Sequence, residues 1–265
     1  MTIKPVYDTS ESRLYVGDCN EVMRSLGDGF VDMIFSDPPY MLSNDGITCQ
    51  SGKMVKVNKG TWDKSGGFDE DNIFHENWIS ECRRILKPSG TIWISGTNHN
   101  IFQCGFLLQK LGFHILNDIT WYKPNAAPNL ACKTFAHSHE TLIWAAKNKT
   151  AKYIFNYNLM KNFEDIKDQL KNTGKQMRSV WSINTPPKSE KLFGKHPTQK
   201  PLALLNRIIL ATTNNDSVIL DPFNGGGTTA VAACIVGKRK YIGIDISREY
   251  INLTINRIEH AKEHL

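Results

Sequence analysis

The chain has 265 residues, of which 40% are hydrophobic, and a formal net charge of +6. This length predicts one large domain or one domain with an inserted lobe, and no stretch approaches the ~20 continuous apolar residues of a membrane span. The first residues, MTIKPVYDTSESRLYVGD, lack the layout of a signal peptide, so we expect a cytoplasmic protein. The six cysteines are scattered without a C-x-x-C pair, which indicates neither a metal site nor a redox motif.

Apolar strand patterns alternate with helical patterns along the chain. Strands are predicted at Arg13–Asp18, Val31–Asp37, Thr91–Ser95 and Thr141–Ala146, and helices at Asp69–Leu86 and Ile101–Leu111. Residues Lys147 to Gly194 are polar and weakly periodic, which is typical of an inserted lobe. A helix with Pro201 in its first turn, the strands SVILD and RKYIGID, and helices at TAVAACIVG and from Ser247 complete the pattern. This alternation predicts an α/β fold with a mostly parallel sheet and helices on both faces.

Positive charge is concentrated in one part of the chain. The segment from Lys133 to Lys195 holds twelve Lys/Arg against five Asp/Glu, a net charge of +7, which leaves −1 for the remainder. A near-neutral body with one basic lobe favours a polyanionic partner, and nucleic acid comes first. A solvated lysine-rich surface would have the same composition, so charge alone leaves both interpretations open.

The stretch VILDPFNGGGTTAVAA places Gly225–Gly227 between an apolar strand and a helix. Glycines allow close backbone approach, and the free N–H groups of a helix start suit an anionic or carboxylate-bearing ligand. Asp245 ends the next strand, where an acid suits a pair of ribose hydroxyls. A nicotinamide-dinucleotide fingerprint would need a glycine at Ala230, and Asp221 would repel a pyrophosphate but attract an ammonium. These features favour S-adenosylmethionine over NAD or over a tight turn without a ligand.

The run VDMIFS ends in Asp37, Pro38, Pro39 and Tyr40. If the cofactor donates a methyl group, a carboxylate and a backbone carbonyl can accept the two N–H groups of a base amine and aim its lone pair at the methyl group. Pro39 lacks a donor and stiffens the loop, while Tyr40 can stack on a base that is flipped out or unpaired. Taken alone, these four residues are also compatible with an ordinary turn.

The order of these motifs resembles that of the amino-methylating DNA methyltransferases, in the β-class permutation of the N6-adenine enzymes. The D-P-P-Y motif comes first, the basic lobe follows, and KHPTQKP (Lys195–Pro201) and Phe223–Gly227 come late. The resemblance implies a Rossmann-like S-adenosylmethionine-dependent methyltransferase fold with circularly permuted motif order. It divides the chain into a catalytic half at 1–128, an inserted target-recognition lobe at 129–194 and a cofactor-binding half at 195–265.

The stretches ITWYKPNAAPNLACKTFAHSHETLIWA and GKQMRSVW carry a closer likeness, to the DpnA-like adenine methylases of restriction systems. That likeness implies recognition of GATC and action on single strands as well. It also implies DNA, a homodimeric partner and a companion restriction endonuclease as interaction partners.

The resemblance assigns roles position by position. Asp37 would accept from the target amine and touch the cofactor, while Tyr40 would stack on the base. The cofactor-binding residues it implies, together with Asp221 from the argument above, are Asp18, Cys19, Asp37, Thr198, Gln199, Lys200, Asp221, Phe223, Asn224, Gly225, Gly227, Thr228 and Asp245. Gly226 stands where serine is more common in the family, so no side-chain role is expected there.

Basic residues outside the motifs are candidates for contact with DNA. The loop Ser43–Gly67 follows the catalytic turn and could close over a flipped base or grip phosphates. The predicted DNA contacts are Lys53, Lys56, Lys133, Lys175 and Arg178, with the arginine suited to a guanine and the lysines to phosphates.

Two other functions compete with N6-adenine methylation. An N4-cytosine DNA methyltransferase has the same scaffold, but serine usually leads its motif, as S-P-P-Y, where this chain has Asp37. A nucleotide-binding module or dehydrogenase would use the glycine loop without methyl transfer, and the missing third glycine disfavours it.

Overall fold

The computed structural model describes residues 3–42, 47–50, 53–56, 63–164, 168 and 171–265, with the backbone alone at 47–50 and 53–56. The strands are β1 (Tyr7–Asp8), β2 (Ser12–Val16), β3 (Val31–Ser36), β4 (Ile47–Gln50), β5 (Lys53–Lys56), β6 (Leu86–Gly96), β7 (His114–Tyr122), β8 (His139–Ala146), β9 (Val180–Ser182), β10 (Val218–Asp221) and β11 (Lys240–Asp245). The helices are α1 (Cys19–Ser25), α2 (Phe68–Ile85), α3 (Ile101–Lys110), α4 (Tyr157–Asn162), α5 (Leu202–Thr212), α6 (Thr228–Val236) and α7 (Arg248–Glu263), with a 3-10 turn at Lys188–Lys191.

One sheet carries nine of these strands, in the order β1-β2-β11-β10-β3-β6-β8-β7-β9. Neighbours from β2 to β6 pair in parallel, β8 is antiparallel to both β6 and β7, and β9 is parallel to β7. All strands of this sheet except β1 and β8 therefore run in one direction, which confirms the predicted mostly parallel α/β fold.

Alternating residues of the buried strands pack into two cores, one on each face of the sheet. In β3, Ile34 faces the core built with α1, α2 and α3. Met33 and Phe35 face the opposite core, built with α5, α6 and α7. Helices on both faces explain why these strands are apolar along their whole length rather than on alternate residues.

The strands at the carboxyl edge of the sheet position three acids. Asp37 follows β3, and Asp221 and Asp245 are the last residues of the neighbouring strands β10 and β11. Parallel strands end at the same edge, and ligands of open α/β sheets bind at that edge. Residues far apart in sequence thus meet there.

The predicted lobe is less separate from the sheet than its polar sequence indicates. Strands β8 and β9 both lie within residues 129–194, and both are strands of the main sheet. The sequence KPSG predicts a stop after the helix at Asp69–Leu86, but α2 ends at Ile85 and β6 begins at once. Within the predicted loop Ser43–Gly67, β4 and β5 pair as an antiparallel hairpin.

None of the helices in the described residues combines the length and apolar character that crossing a membrane requires. The five cysteines whose side chains are described are free thiols: Cys19, Cys82, Cys104, Cys132 and Cys234. The tryptophans at 78, 93, 121 and 144 are all buried in the cores, as their strand and helix patterns predict.

Candidate active site

A cavity opens at the carboxyl edge of the sheet. Its walls include most of the predicted cofactor residues: Asp18, Cys19, Asp37, Thr198, Gln199, Lys200, Asp221, Phe223, Asn224, Gly225, Thr228 and Asp245. Pro39 and Gly226 also line it, and Gly227 caps the start of α6. The structure thus brings together two halves of the chain that the basic lobe separates.

The glycine turn has the left-handed backbone that its sequence predicts. Gly225 has a φ of 48° and Gly227 a φ of 72°. A Cβ added to Gly225 would lie 3.1 Å from the ring of His196, and one added to Gly227 would lie 2.4 Å from the side chain of Thr254. Both positions therefore require glycine, for backbone conformation and for space.

Asp245 supports this turn from the next strand. Its carboxylate accepts from the backbone N–H of Gly225 at 2.7 Å and from that of Ser247 at 2.8 Å. Each carboxylate oxygen can accept a further hydrogen bond, so Asp245 remains suited to ribose hydroxyls.

Asp221 is a buried acid with neutral partners. Its carboxylate accepts from the hydroxyl of Thr229 at 2.6 Å and from the backbone N–H of Phe223 at 3.0 Å. Burial raises the pKa of Asp221 from its ordinary value of 3.8 to about 7, and these hydrogen bonds only partly oppose the rise. An arriving ammonium would find here a carboxylate that lacks a cationic partner among the described residues.

Other cofactor residues have clear structural tasks. Asp18 caps α1 by accepting from the N–H groups of Asn20 and Glu21. Burial raises the pKa of the Cys19 thiol to about 12, so Cys19 lines the cavity as a neutral group. The ring of Phe223, which lines the cavity just before the glycine turn, packs edge-on against Trp78 and is thereby fixed in place.

The cavity also contains an unsatisfied acceptor. The side-chain oxygen of Gln199 is buried without a hydrogen-bond partner among the described residues. An unpaired buried acceptor is costly, and a donor group of a ligand would relieve that cost. With the glycine turn, Asp221 and Asp245, this donor and acceptor set fits S-adenosylmethionine, which carries an ammonium, a carboxylate and a ribose.

Asp37 and Lys200 form a buried ion pair at the catalytic end of the cavity. The Lys200 Nζ lies 2.5 Å from Asp37 Oδ2, and the side chains are 6% and 13% exposed. Burial raises the pKa of Asp37, and the nearby ammonium opposes that rise. The resemblance implies that Lys200 lies near the methionine carboxylate, and in the protein Lys200 pairs with Asp37, the predicted catalytic acid.

Tyr40 is buried beside this pair. Its hydroxyl donates to Asp37 Oδ1 at 2.7 Å, and the Lys200 ammonium lies 5.2 Å from the centre of its ring. The preceding turn is also packed, since Pro38 and Pro39 are buried and the Pro39 carbonyl accepts from Asn100 at 3.4 Å. The stacking of Tyr40 on a base stays a prediction.

Two acids that sequence reasoning missed support the catalytic turn. Glu140, at the start of β8, contacts Tyr40, Lys123 and Lys200. Asp63 is 1% exposed, and its carboxylate accepts from three consecutive backbone N–H groups, those of Tyr40, Met41 and Leu42. Neither acid stands in the D-P-P-Y motif. Glu140 falls within the stretch that carries the closer family likeness, but nothing in that stretch indicates a contact with the catalytic turn.

His196 is a third residue without a predicted role. It lies within KHPTQKP, packs against Gly225 and stacks edge-on with Tyr250 at 4.4 Å. The sequence signal that could have identified His196 is its position within KHPTQKP, the element that resembles the family.

The predicted DNA contacts divide into two groups. Lys133, Lys175 and Arg178 are exposed on the polar segments that flank β8 and β9. Lys53 and Lys56 are the ends of β5, and their side chains lie outside the described residues. Their roles stay predictions.

Comparison with known proteins identifies the family. Residues 31–256 match the N6_N4_Mtase family, described as DNA methylase. The chain is 48% identical to the Type II methyltransferase M2.DpnII of Streptococcus pneumoniae over 98% of this chain and 94% of that protein. It is also 48% identical to M2.LlaDCHI of Lactococcus lactis subsp. cremoris over 96% and 92%, and 45% identical to M2.MboI of Moraxella bovis over 97% and 92%.

Solved structures agree with this match. The M1.HpyAVI–SAM complex has a TM-score of 0.66 and 28% identity, covering 93% of this chain and 98% of that one. The cytosine-N4-specific PvuII DNA methyltransferase has a TM-score of 0.73 at 18% identity, covering 98% and 93%, which is a likeness of fold alone. The chain therefore belongs to the DNA methylases of the N6_N4_Mtase family and is an enzyme that transfers a methyl group from S-adenosylmethionine to DNA.

Proposed function

We propose that this methyltransferase is site-specific and acts on the N6 amino group of adenine in a short DNA sequence, GATC. The observation that carries the proposal is Asp37, a buried carboxylate held by Lys200 where the cavity meets the D-P-P-Y turn. The relatives named Type II methyltransferases support a role in a restriction-modification system, with a companion endonuclease and a homodimer as further partners. DNA as substrate favours a cytoplasmic location in a bacterial cell.

The residues of the turn act on the nucleophile. The lone pair of an exocyclic base amine is delocalised into the ring, so the amine attacks poorly. A carboxylate that accepts one N–H, aided by a backbone carbonyl for the other, draws the nitrogen toward tetrahedral geometry and stabilises its developing positive charge. In this mechanism Asp37 accepts from the amine, and Lys200 keeps the carboxylate in place from its other oxygen.

The cofactor supplies a methyl group bound to a positively charged sulfur. Asp221 and Gln199 would hold its ammonium, the turn Phe223–Gly227 would enclose it, and Asp245 would bind its ribose. The remaining predicted residues, Asp18, Cys19, Thr198, Lys200 and Thr228, complete the walls of this site.

The segment 129–194 would read the DNA. Its basic residues Lys133, Lys175 and Arg178 are exposed, and β8 and β9 anchor it to the sheet that carries the active site. A target base must leave the duplex to reach a carboxylate as buried as Asp37.

Modified-base sequencing of DNA from cells that express the chain would test this function, with nucleoside mass analysis to identify the product. We expect N6-methyladenine confined to GATC. If 4-methylcytosine is the sole product, the assignment of adenine is wrong, and methylation at another sequence would reject GATC alone.

A further inference from the structure

The hydroxyl of Tyr40 lies between two carboxylates. Its oxygen is 2.7 Å from Asp37 Oδ1 and 2.9 Å from Glu140 Oε2. A tyrosine hydroxyl has one proton, so it can donate fully to one of these acids at a time. Burial and the two acids raise the pKa of Tyr40 well above its ordinary value, so the proton stays on the hydroxyl.

This arrangement creates a conflict for the catalytic acid. Lys200 binds Asp37 Oδ2 at 2.5 Å, and the Tyr40 hydroxyl binds Oδ1. The target amine also needs an oxygen of Asp37. Oδ1 can accept a second hydrogen bond, but a hydroxyl that already donates to it draws on the same negative charge, so the hydroxyl competes with the target amine for the charge of Asp37 and weakens the amine's hydrogen bond. A second acceptor for the hydroxyl, in reach without movement of the ring, would remove that competition.

We propose that Glu140 is a positioning residue that takes over the hydrogen bond of the Tyr40 hydroxyl when the target amine binds Asp37. The inference rests on the proposed function, in which Asp37 accepts from an amine. It assigns Glu140 a role that depends on Tyr40 and involves no proton transfer, because only the direction of one hydrogen bond changes.

The surroundings of Glu140 suit an acceptor that is always ionised. Burial disfavours its charge, but the ammonium groups of Lys200 and Lys123 outweigh that effect and lower the pKa of Glu140 to about 2. Lys123 lies 3.0 Å from the carboxylate and Lys200 3.5 Å. Two acids and two lysines balance in charge, so a second buried carboxylate beside Asp37 is tolerated.

Rates of methyl transfer at saturating DNA and cofactor test the proposal in four proteins: wild type, Glu140→Gln, Tyr40→Phe and the double variant. The amide is a weaker acceptor, so Glu140→Gln should leave the hydroxyl on Asp37 and lower the rate by about 10-fold, as for the removal of a hydrogen bond to a charged group. Tyr40→Phe removes the hydroxyl. The double variant should therefore match Tyr40→Phe and be faster than Glu140→Gln alone.

The cofactor dissociation constant of Glu140→Gln should stay within about 2-fold of the wild-type value. A damaged cavity would bind the cofactor less tightly, so this measurement distinguishes the proposed role from a loss of structure. The matched control is Glu76→Gln, which breaks another glutamate–lysine pair, with Lys110 at 2.8 Å, and should keep the wild-type rate. If Glu140→Gln loses cofactor binding, Glu140→Asp replaces it in the comparison of single and double variants. The shorter aspartate keeps the negative charge but moves its carboxylate away from the Tyr40 hydroxyl.

Rate reductions that multiply in the double variant would overturn the proposal, because Glu140 would then act through the lysines alone. A wild-type rate for Glu140→Gln would overturn it as well. Cytosine as the methylated base would reject the adenine assignment but leave this cycle valid, since both bases present an exocyclic amine.

Discussion

Two buried acids of the active site differ in what surrounds them. Asp37 faces the ammonium of Lys200, whereas Asp221 faces a hydroxyl and a backbone N–H. A cationic partner favours the charged form of an acid, and burial without one favours the neutral form. In the proposed function, Asp37 is therefore suited to accept a hydrogen bond from the substrate, and Asp221 to become ionised when a cationic ligand binds beside it.

The substitution Asp37→Ala tests the first acid. It removes the acceptor for the target amine, and methyl transfer should slow by ~100-fold or more, the reduction expected for an oriented electrostatic interaction. Single-turnover assays measure the rate, and thermal melting should show a folded protein. Turnover near that of the wild type would contradict the role of Asp37.

Asp221→Asn tests the second acid through stability. The pKa of Asp221 is about 7 in the folded protein against an ordinary 3.8, so the folded state binds more protons between these values. The stability of the wild type should thus fall as the pH rises from about 4 to about 7, by up to ~4 kcal/mol at 1.36 kcal/mol per pKa unit.

Asparagine resembles the protonated acid in shape and carries no charge. Asp221→Asn should therefore raise the melting temperature at pH 8 in the absence of cofactor, and this gain should vanish by pH 4. An equal effect at both pH values would show that the pKa of Asp221 is unperturbed.

At the scale of elements, the catalytic turn is held by a residue beyond its own loop. Met41 has a φ of 57°, a left-handed conformation that is unfavourable for a side chain larger than glycine. Three successive N–H groups around Met41 converge on the carboxylate of Asp63, in the manner of a backbone nest around an anion. Asp63 thereby fixes the conformation in which Tyr40 is presented.

Asp63→Asn should loosen this turn. An amide has one acceptor oxygen for three donors, and the remaining nitrogen is itself a donor. We expect the maximal rate to fall by about 10-fold or more while cofactor affinity is kept, since a hydrogen bond to a charged group contributes about 1.5–3 kcal/mol. The control is Asp8→Asn, at an exposed ion pair with Arg13. It should change neither the maximal rate nor the cofactor affinity.

The glycine turn makes a separate prediction for the cofactor. Gly225→Ala introduces a Cβ that crowds His196 at a positive φ, so cofactor affinity should fall by about 10-fold or more. Gly237→Ala is a matched control, with a φ of 69° and no atom within 4 Å of the added Cβ. Gly237→Ala should lower the melting temperature and leave cofactor affinity unchanged. Isothermal titration measures the affinity and thermal melting the stability of both variants.

At the scale of the whole molecule, positive charge is concentrated in the segment that we propose to contact DNA. The segment from Lys133 to Lys195 carries +7, and the rest of the chain carries −1. Binding driven by phosphates weakens as salt rises, because neutralised phosphates release counterions.

Alanine at Lys133, Lys175 and Arg178 together should weaken DNA binding. The slope of log affinity against log salt should fall by about 0.9 for each phosphate that the variant no longer neutralises. Cofactor affinity should not change, and Lys110→Ala, at an exposed lysine outside the segment, should keep the wild-type slope. An unchanged slope in the triple variant would place the DNA on another face.

Much of the sheet was predictable because its strands are continuously apolar and its turns carry strong signals. The predicted strand at Val31–Asp37 and the helix at Asp69–Leu86 match β3 and α2 within one residue at each end. Local signals failed where a long-range pairing decides the structure. The three-residue β9 is a strand because β7 lies beside it, and the pattern of residues 147–194 does not indicate that neighbour.

The residues of the candidate site likewise fall into those that local sequence signals predict and those that only long-range contacts reveal. The sequence identifies Asp37, Asp221 and Asp245 because each stands at the end of a predicted strand and also within or beside a motif. Asp63 and Glu140 are 23 and 100 positions from Tyr40, and their roles exist only through the fold. Sequence patterns identify the residues that meet the ligand more readily than the residues that hold them in place.

The order of strands has a consequence for synthesis on the ribosome. Strands β10 and β11 insert between β2 and β3, which are made much earlier. A nascent chain therefore carries two unpaired strand edges, and a catalytic turn without its cofactor wall, until both late strands emerge. Methylation competence therefore requires that β10 and β11 have both been made, and products that lack these strands should be inactive and prone to association through their open edges.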